Sequence, residues 1–192
     1  MNRWLGAALA AGVVFSAGTA SAKDLTGRIG VGYTTTAPGS SFAPGFSGLS
    51  ARYWVNEQIG IEGNLGVLLI SPKGGDASNN FALGFNGYYS FINEPNLKLY
   101  GDAGLTFGSL GLTVPNAAGT GTTTKSETLL GFQAGMGMEF FFVGMPNLGF
   151  ATQVGLNYTS VSDFGSEISI GGGDFASFGV RYYFGGPKGP PQ

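Results

Sequence analysis

The chain has no cysteine and no histidine among its 192 residues, and only 10% of it is charged. Each absence removes a class of protein. Without cysteine there is no disulfide framework and no thiol for lipid attachment. Without histidine, no serine has an imidazole to deprotonate it, which argues against nucleophilic catalysis. A soluble domain of this size needs roughly a quarter or more of its surface charged, so this exterior is not built for water. The charges present are mildly acidic, eleven Asp and Glu against nine Lys and Arg, and give no basic footprint for nucleic acid. The apolar run from Trp4 to about Ala17 is shorter than the ~20 residues a spanning helix requires.

That run follows the basic Arg3 and precedes the small-residue stretch Ala20-Ser21-Ala22, the layout of a removable secretory signal over residues 1–22 with cleavage specified by Ala20 and Ala22. Residues 23–184 then form one domain, and 185–192 are a short Pro/Gly tail.

What the domain does have is alternation. Eight segments, 25–33, 49–55, 59–69, 81–91, 97–107, 130–140, 148–158 and 176–184, place large apolar residues at every second position, from Leu25, Ile29, Val31 and Tyr33 in the first to Phe178, Val180, Tyr182 and Phe184 in the last. No charge falls on that face. The other face holds Gly, Ser, Thr, Asn and Gln with a few charges, too small and polar for a packed apolar core. A helical period would scatter polar residues on every side, so these are strands. The connectors alternate between long and short, the signature of an all-β, eight-stranded antiparallel up-and-down barrel. With so little charge available for a soluble exterior, the apolar face meets lipid and the small polar face fills the lumen. Tyr33, Tyr53, Tyr89, Tyr158 and Tyr182 sit near segment ends on the lipid side, where amphipathic rings belong.

Val180, Tyr182 and Phe184 end the last segment with alternating apolar residues and a Phe, similar to the C-terminal signature by which outer-membrane barrels are recognised by their assembly machinery. Over residues 23–184 the chain resembles the small OmpA/OmpX-like outer-membrane β-barrel family. It departs from many members in continuing to Gln192, a tail too short for a peptidoglycan-binding domain. The resemblance implies a bacterial outer-membrane monomer in contact with lipid and lipopolysaccharide and inserted by that machinery. The short turns near 56–58, 93–96 and 143–147 then lie in the periplasm with both termini. The long connectors, 35–48, 70–80, 109–127 and 159–173, become four mobile extracellular loops available to a partner.

On the lumen face, Arg28, Arg52, Glu62, Asp102, Glu139 and Arg181 all lie near the periplasmic boundary, and with Lys98 they make a belt of four positive and three negative groups. Buried charges left unpaired cost several kcal/mol, so the belt is expected to be a plug of ion pairs in a lumen that side chains can fill. Trp54, Tyr88, Tyr100 and Tyr183 are expected to pack over the lumen glycines. No cofactor or metal is expected. The glycine clusters at 30–32 and 131–137 do not join a strand to a helix, as a phosphate loop would. Asp163, Glu167 and Asp174 lack calcium-loop spacing, and the sequon Asn157-Tyr158-Thr159 falls in a membrane strand. The expected role is a structural or surface-interaction barrel displaying four loops. A narrow or gated channel is the alternative, and a lipid-modifying barrel enzyme ranks last.

Overall fold

The computed structural model describes residues 23–37, 45–71, 77–115, 122–170 and 176–185. The signal segment 1–22 and all of the tail except Gly185 lie outside them. Nine strands follow in order: β1 (Ile29–Ala37), β2 (Phe46–Trp54), β3 (Ile59–Ile70), β4 (Ser78–Glu94), β5 (Leu97–Pro115), β6 (Thr122–Phe142), β7 (Met145–Val161), β8 (Gly165–Ile170) and β9 (Ala176–Phe184). Every pairing is antiparallel, and each strand from β1 to β7 pairs with its successor. β9 closes the circle, meeting β1 from Ile29↔Phe184 to Thr34↔Gly179 and β7 from Leu148↔Tyr182 to Val154↔Ala176.

β8 and β9 occupy successive stretches of the same edge of β7, with β8 running from Val161↔Gly165 to Leu156↔Ile170. Together they make up one stave, so the barrel has the eight staves the alternation predicts. The 159–173 connector, expected to be a mobile loop, is therefore largely a hairpin. Its turn at 162–164 is tightened by Asp163 at φ 60° and Gly165 at φ 109°, a conformation glycine adopts freely. The 109–127 connector is corrected in the same way, since β5 and β6 stay paired from Ser109↔Thr128 out to Pro115↔Thr122. Its Thr- and Val-rich ends have the β-branched side chains that strands favour. Strand also extends into the first two loops, through Ala37 and from Phe46, and from Ser78.

The faces divide as lipid and lumen require. β4 alternates strictly between buried and exposed from Ser78 to Phe91. Ile61, Leu65, Phe85, Phe107, Phe132, Val154 and Val180 all point outward, and so do the five boundary tyrosines. These outward apolar stretches run over about 9–11 residues, the length of a tilted spanning strand. Among the described residues no helix is long and apolar enough to cross a membrane.

Two expectations fail at the end of the barrel where β1 begins and β9 ends. Leu25 was placed on the lipid face, yet it is fully buried with Trp54, Tyr88, Tyr100, Phe141 and Tyr183. The strand starts later than the alternation suggests. The Asp24 carboxylate accepts the Thr26 N–H (2.8 Å), Arg28 N–H donates to the Leu25 carbonyl (2.9 Å), and Gly27 at φ 69° turns the chain so that Leu25 tucks under the barrel. The turn expected at 143–147 shrinks to Val143–Gly144, with Met145 already in β7.

Candidate functional site

The lumen of an eight-stranded barrel is about one side chain wide, so a large inward residue needs a small one beside it. The register supplies this repeatedly. Trp54 pairs with Gly60, Tyr183 with Gly30 and Tyr100 with Gly137, while Arg181 has Gly32 on one side and Gly149 on the other. A Cβ on Gly60 would sit 3.0 Å from the Trp54 ring, and one on Gly30 would sit 2.6 Å from the Tyr183 ring. The glycine-rich lumen face is thus complementary to the four large aromatics.

Of the seven belt residues, four are brought together. Arg52 Nε meets Glu62 Oε2 at 2.6 Å and its Nη1 meets Glu139 Oε2 at 3.2 Å. Arg181 Nη2 meets Glu62 Oε2 at 2.7 Å and its Nη1 meets Glu139 Oε1 at 3.5 Å. Each cation touches both anions, and all four side chains are essentially without solvent exposure. The Tyr183 hydroxyl donates to the Glu139 carboxylate at 2.9 Å, and Trp54 Nε1 donates to that hydroxyl at 3.3 Å. The buried Arg52 guanidinium lies 3.7 Å from the Tyr88 ring centroid and 5.3 Å from that of Tyr100, a cation–π contact with a pair of rings that meet edge to face.

The other three stand apart from this ring of charges. Arg28 donates to Asn147 Oδ1 (2.7 Å) and the Tyr183 carbonyl (3.2 Å). Lys98 donates to the Glu57 carbonyl (2.9 Å) and Asn93 Oδ1, with its ammonium 4.4 Å from the Trp54 ring. Asp102 accepts from Gln153 Nε2 at 3.4 Å. None of the three makes a salt bridge among the described residues.

Several partners escaped the sequence reading. Lys23 donates to the Pro146 carbonyl and sits 4.3 Å from the Phe141 ring, joining the segment before β1 to the β6–β7 turn. Burial, and after it the charge of Arg28, push the Lys23 pKa below its ordinary value. Phe141 shares the parity of Glu139 and points inward with it, but it lies one residue beyond the alternating segment 130–140. Above the ion pairs the lumen is polar: Gln133 donates to Asn86 (2.8 Å), Asn157 donates to Thr159 (2.8 Å), and Ser50 and Asn64 are buried. At the far end Ala82, Leu110, Leu129 and Val161 form a second buried apolar cluster, with Leu68, Leu112 and Phe164 packed against it. From the sequence, Leu110, Leu112 and Val114 are expected to pack over the barrel mouth as loop residues; Leu110 instead lies inside the barrel on β5, with Leu112 against the cluster.

A closed antiparallel barrel with an apolar outer band and buried charges in its lumen defines a β-barrel membrane protein. Residues 7–185 match the family model for the outer membrane protein beta-barrel domain, and the chain belongs to that family, a component of the bacterial outer membrane. Among solved structures it is similar to the N-terminal β-barrel domain of Pseudomonas aeruginosa OprF, at 17% identity and a TM-score of 0.52, covering 83% of this chain and 98% of that one. It is also similar to the attachment invasion locus protein Ail of Yersinia pestis (17%, TM-score 0.49, 83% and 99% covered) and to Neisserial surface protein A (17%, TM-score 0.42, 82% and 96%). No curated protein sequence matches it.

Proposed function

We propose that this protein is a closed outer-membrane scaffold that holds surface segments in place and does not conduct solutes at rest. The carrying observation is the ring formed by Arg52, Glu62, Glu139 and Arg181, with every member in contact with both of its opposites. Trp54, Tyr100, Phe141, Tyr183 and Leu25 fill the space around and beneath it. In this reading residues 1–22 are removed on export after Ala22, Val180, Tyr182 and Phe184 serve the assembly machinery, and both termini face the periplasm. The long connectors face outward to lipopolysaccharide and to an extracellular partner. The protein acts as a monomer and catalyses no reaction, since its buried Glu62 and Glu139 are each held by two arginines and no histidine is available as a base.

A gated ion path is the second reading. It is favoured by two buried guanidinium nitrogens, Arg52 Nη2 and Arg181 Nε, that lack a hydrogen-bond partner and could take up a rearranged pairing. Planar-bilayer recording of the purified, refolded protein tests both. Rare, small openings at most are expected, and stable porin-like conductance would move the function to passive transport.

A further inference from the structure

Within the ring the charges cancel, Arg52 and Arg181 against Glu62 and Glu139, and Asp102 lies outside that balance. It is 7% exposed and faces the lumen from β5. Its Oδ2 has one long hydrogen bond from Gln153, and its Oδ1 is buried without a partner. A second buried oxygen, the Tyr100 hydroxyl two residues earlier on the same face, is also unpartnered. The cations outside the ring are engaged elsewhere: Lys98 holds Glu57 and Asn93, and Arg28 holds Asn147 and the Tyr183 carbonyl.

On the β6 side of Asp102 the wall carries no side chain at two successive register positions. Its cross-strand partner on β6 is Gly135, and the partner of Gly135 on β7 is Gly155. A charge in such a place is not left uncompensated, because burying an unpaired carboxylate costs several kcal/mol. We propose that Asp102 and this glycine-lined wall bind a monovalent metal cation of the sodium or potassium type inside the lumen. Asp102 Oδ1 is the anionic ligand, and water resting over Gly135 and Gly155 fills the remaining coordination. A divalent ion is disfavoured, since it demands several charged oxygens and the described residues contain no group of three or more metal-binding side chains. The inference shares its lumen with the closed-scaffold reading. It is read out by binding, so a conducting wild type would overturn the scaffold without touching it.

The test compares unfolding midpoints of the detergent-folded full barrel in sodium, potassium and choline chloride at equal ionic strength. The wild type is expected to unfold at a higher midpoint in sodium or potassium than in choline. Asp102→Asn, which removes the carboxylate outside the ring, is expected to lose that difference and to match in choline the wild type in potassium. A wild type indifferent to cation identity overturns the site, as does one that responds only to pH, since a proton would then be the occupant. Retained cation dependence in Asp102→Asn places the ion elsewhere and overturns it too. Should that variant fail to fold, sodium NMR line broadening by the wild type, reversed by potassium, decides: its absence counts against the site.

Discussion

At the scale of single residues, glycine decides what the lumen can hold. Gly32 lies between Ser50 on β2 and Arg181 on β9, and a Cβ there would fall 1.9 Å from the Val180 carbonyl oxygen and 2.6 Å from Arg181 Cγ. Backbone cannot retreat as a flexible side chain can. Gly63, next to Glu62 of the belt on β3 and facing outward, would place a Cβ with nothing within 4 Å. Overpacking a filled site costs about 1–3 kcal/mol, so Gly32→Ala should lower stability by that order in urea unfolding from lipid vesicles, while Gly63→Ala should be close to neutral. Equal effects would mean that the lumen glycines reflect composition and not packing. The sequence made this plug legible only in outline. Parity placed Arg52, Glu62, Glu139 and Arg181 on one face and at one height, but which of seven charges touch depends on strand tilt and stagger, which alternation does not encode. Arg28, Lys98 and Asp102 share the face and the height and still find other partners.

Elements were easiest to read where a single face pattern held. From Ile59 to Leu69, or Phe81 to Phe91, outward apolar residues marked the strand because lipid demands them at every second position. Beyond Ser109 on β5 and Leu129 on β6 the pattern inverts: Leu110, Leu129 and Val161 turn inward, and the hydroxyls of Ser109 and Ser126 meet outside at 2.8 Å. A reading tuned to apolar-outward strands takes that continuation for loop; β8 escapes it for another reason, since only Ile168 and Ile170 mark its outward face after the polar start Gly165-Ser166-Glu167. If β5 and β6 carry on past the lipid on the cell's exterior, Lys125→Cys should react with an impermeant maleimide on intact cells, and Glu57→Cys, in the short β2–β3 turn, should react only after lysis. The reverse pattern would invert the barrel. β9 offers a second element-scale test, because Phe184 pairs with Ile29 at the end of the strand and its ring lies tilted against Tyr182 at 4.8 Å. Phe184→Asp should abolish outer-membrane insertion, and truncation after Gly185 should leave it intact, both read from heat-modifiable gel mobility of membrane fractions.

At the scale of the whole molecule, the lumen is occupied at two levels of opposite chemistry. Near the chain termini the four ion-paired residues lie among Trp54, Tyr183, Phe141 and Leu25; toward the other end Ala82, Leu110, Leu129 and Val161 meet as an apolar cluster, with polar side chains such as Ser50, Asn64 and Gln133 between. Any path through the barrel passes both. Glu139→Ala removes the carboxylate that Arg52, Arg181 and Tyr183 share, leaving excess buried positive charge, and should cost about 3 kcal/mol. Water can then enter the lower level, but the apolar level above still resists ions, because a charge gains nothing from a wall of methyl groups. The expected result in planar bilayers is therefore graded: brief, infrequent openings for Glu139→Ala, wild-type silence for Leu110→Ser, and frequent openings only when the two changes are combined. A double variant no more active than Glu139→Ala alone would show that the apolar cluster lies off the path and that the ion pairs are the whole barrier.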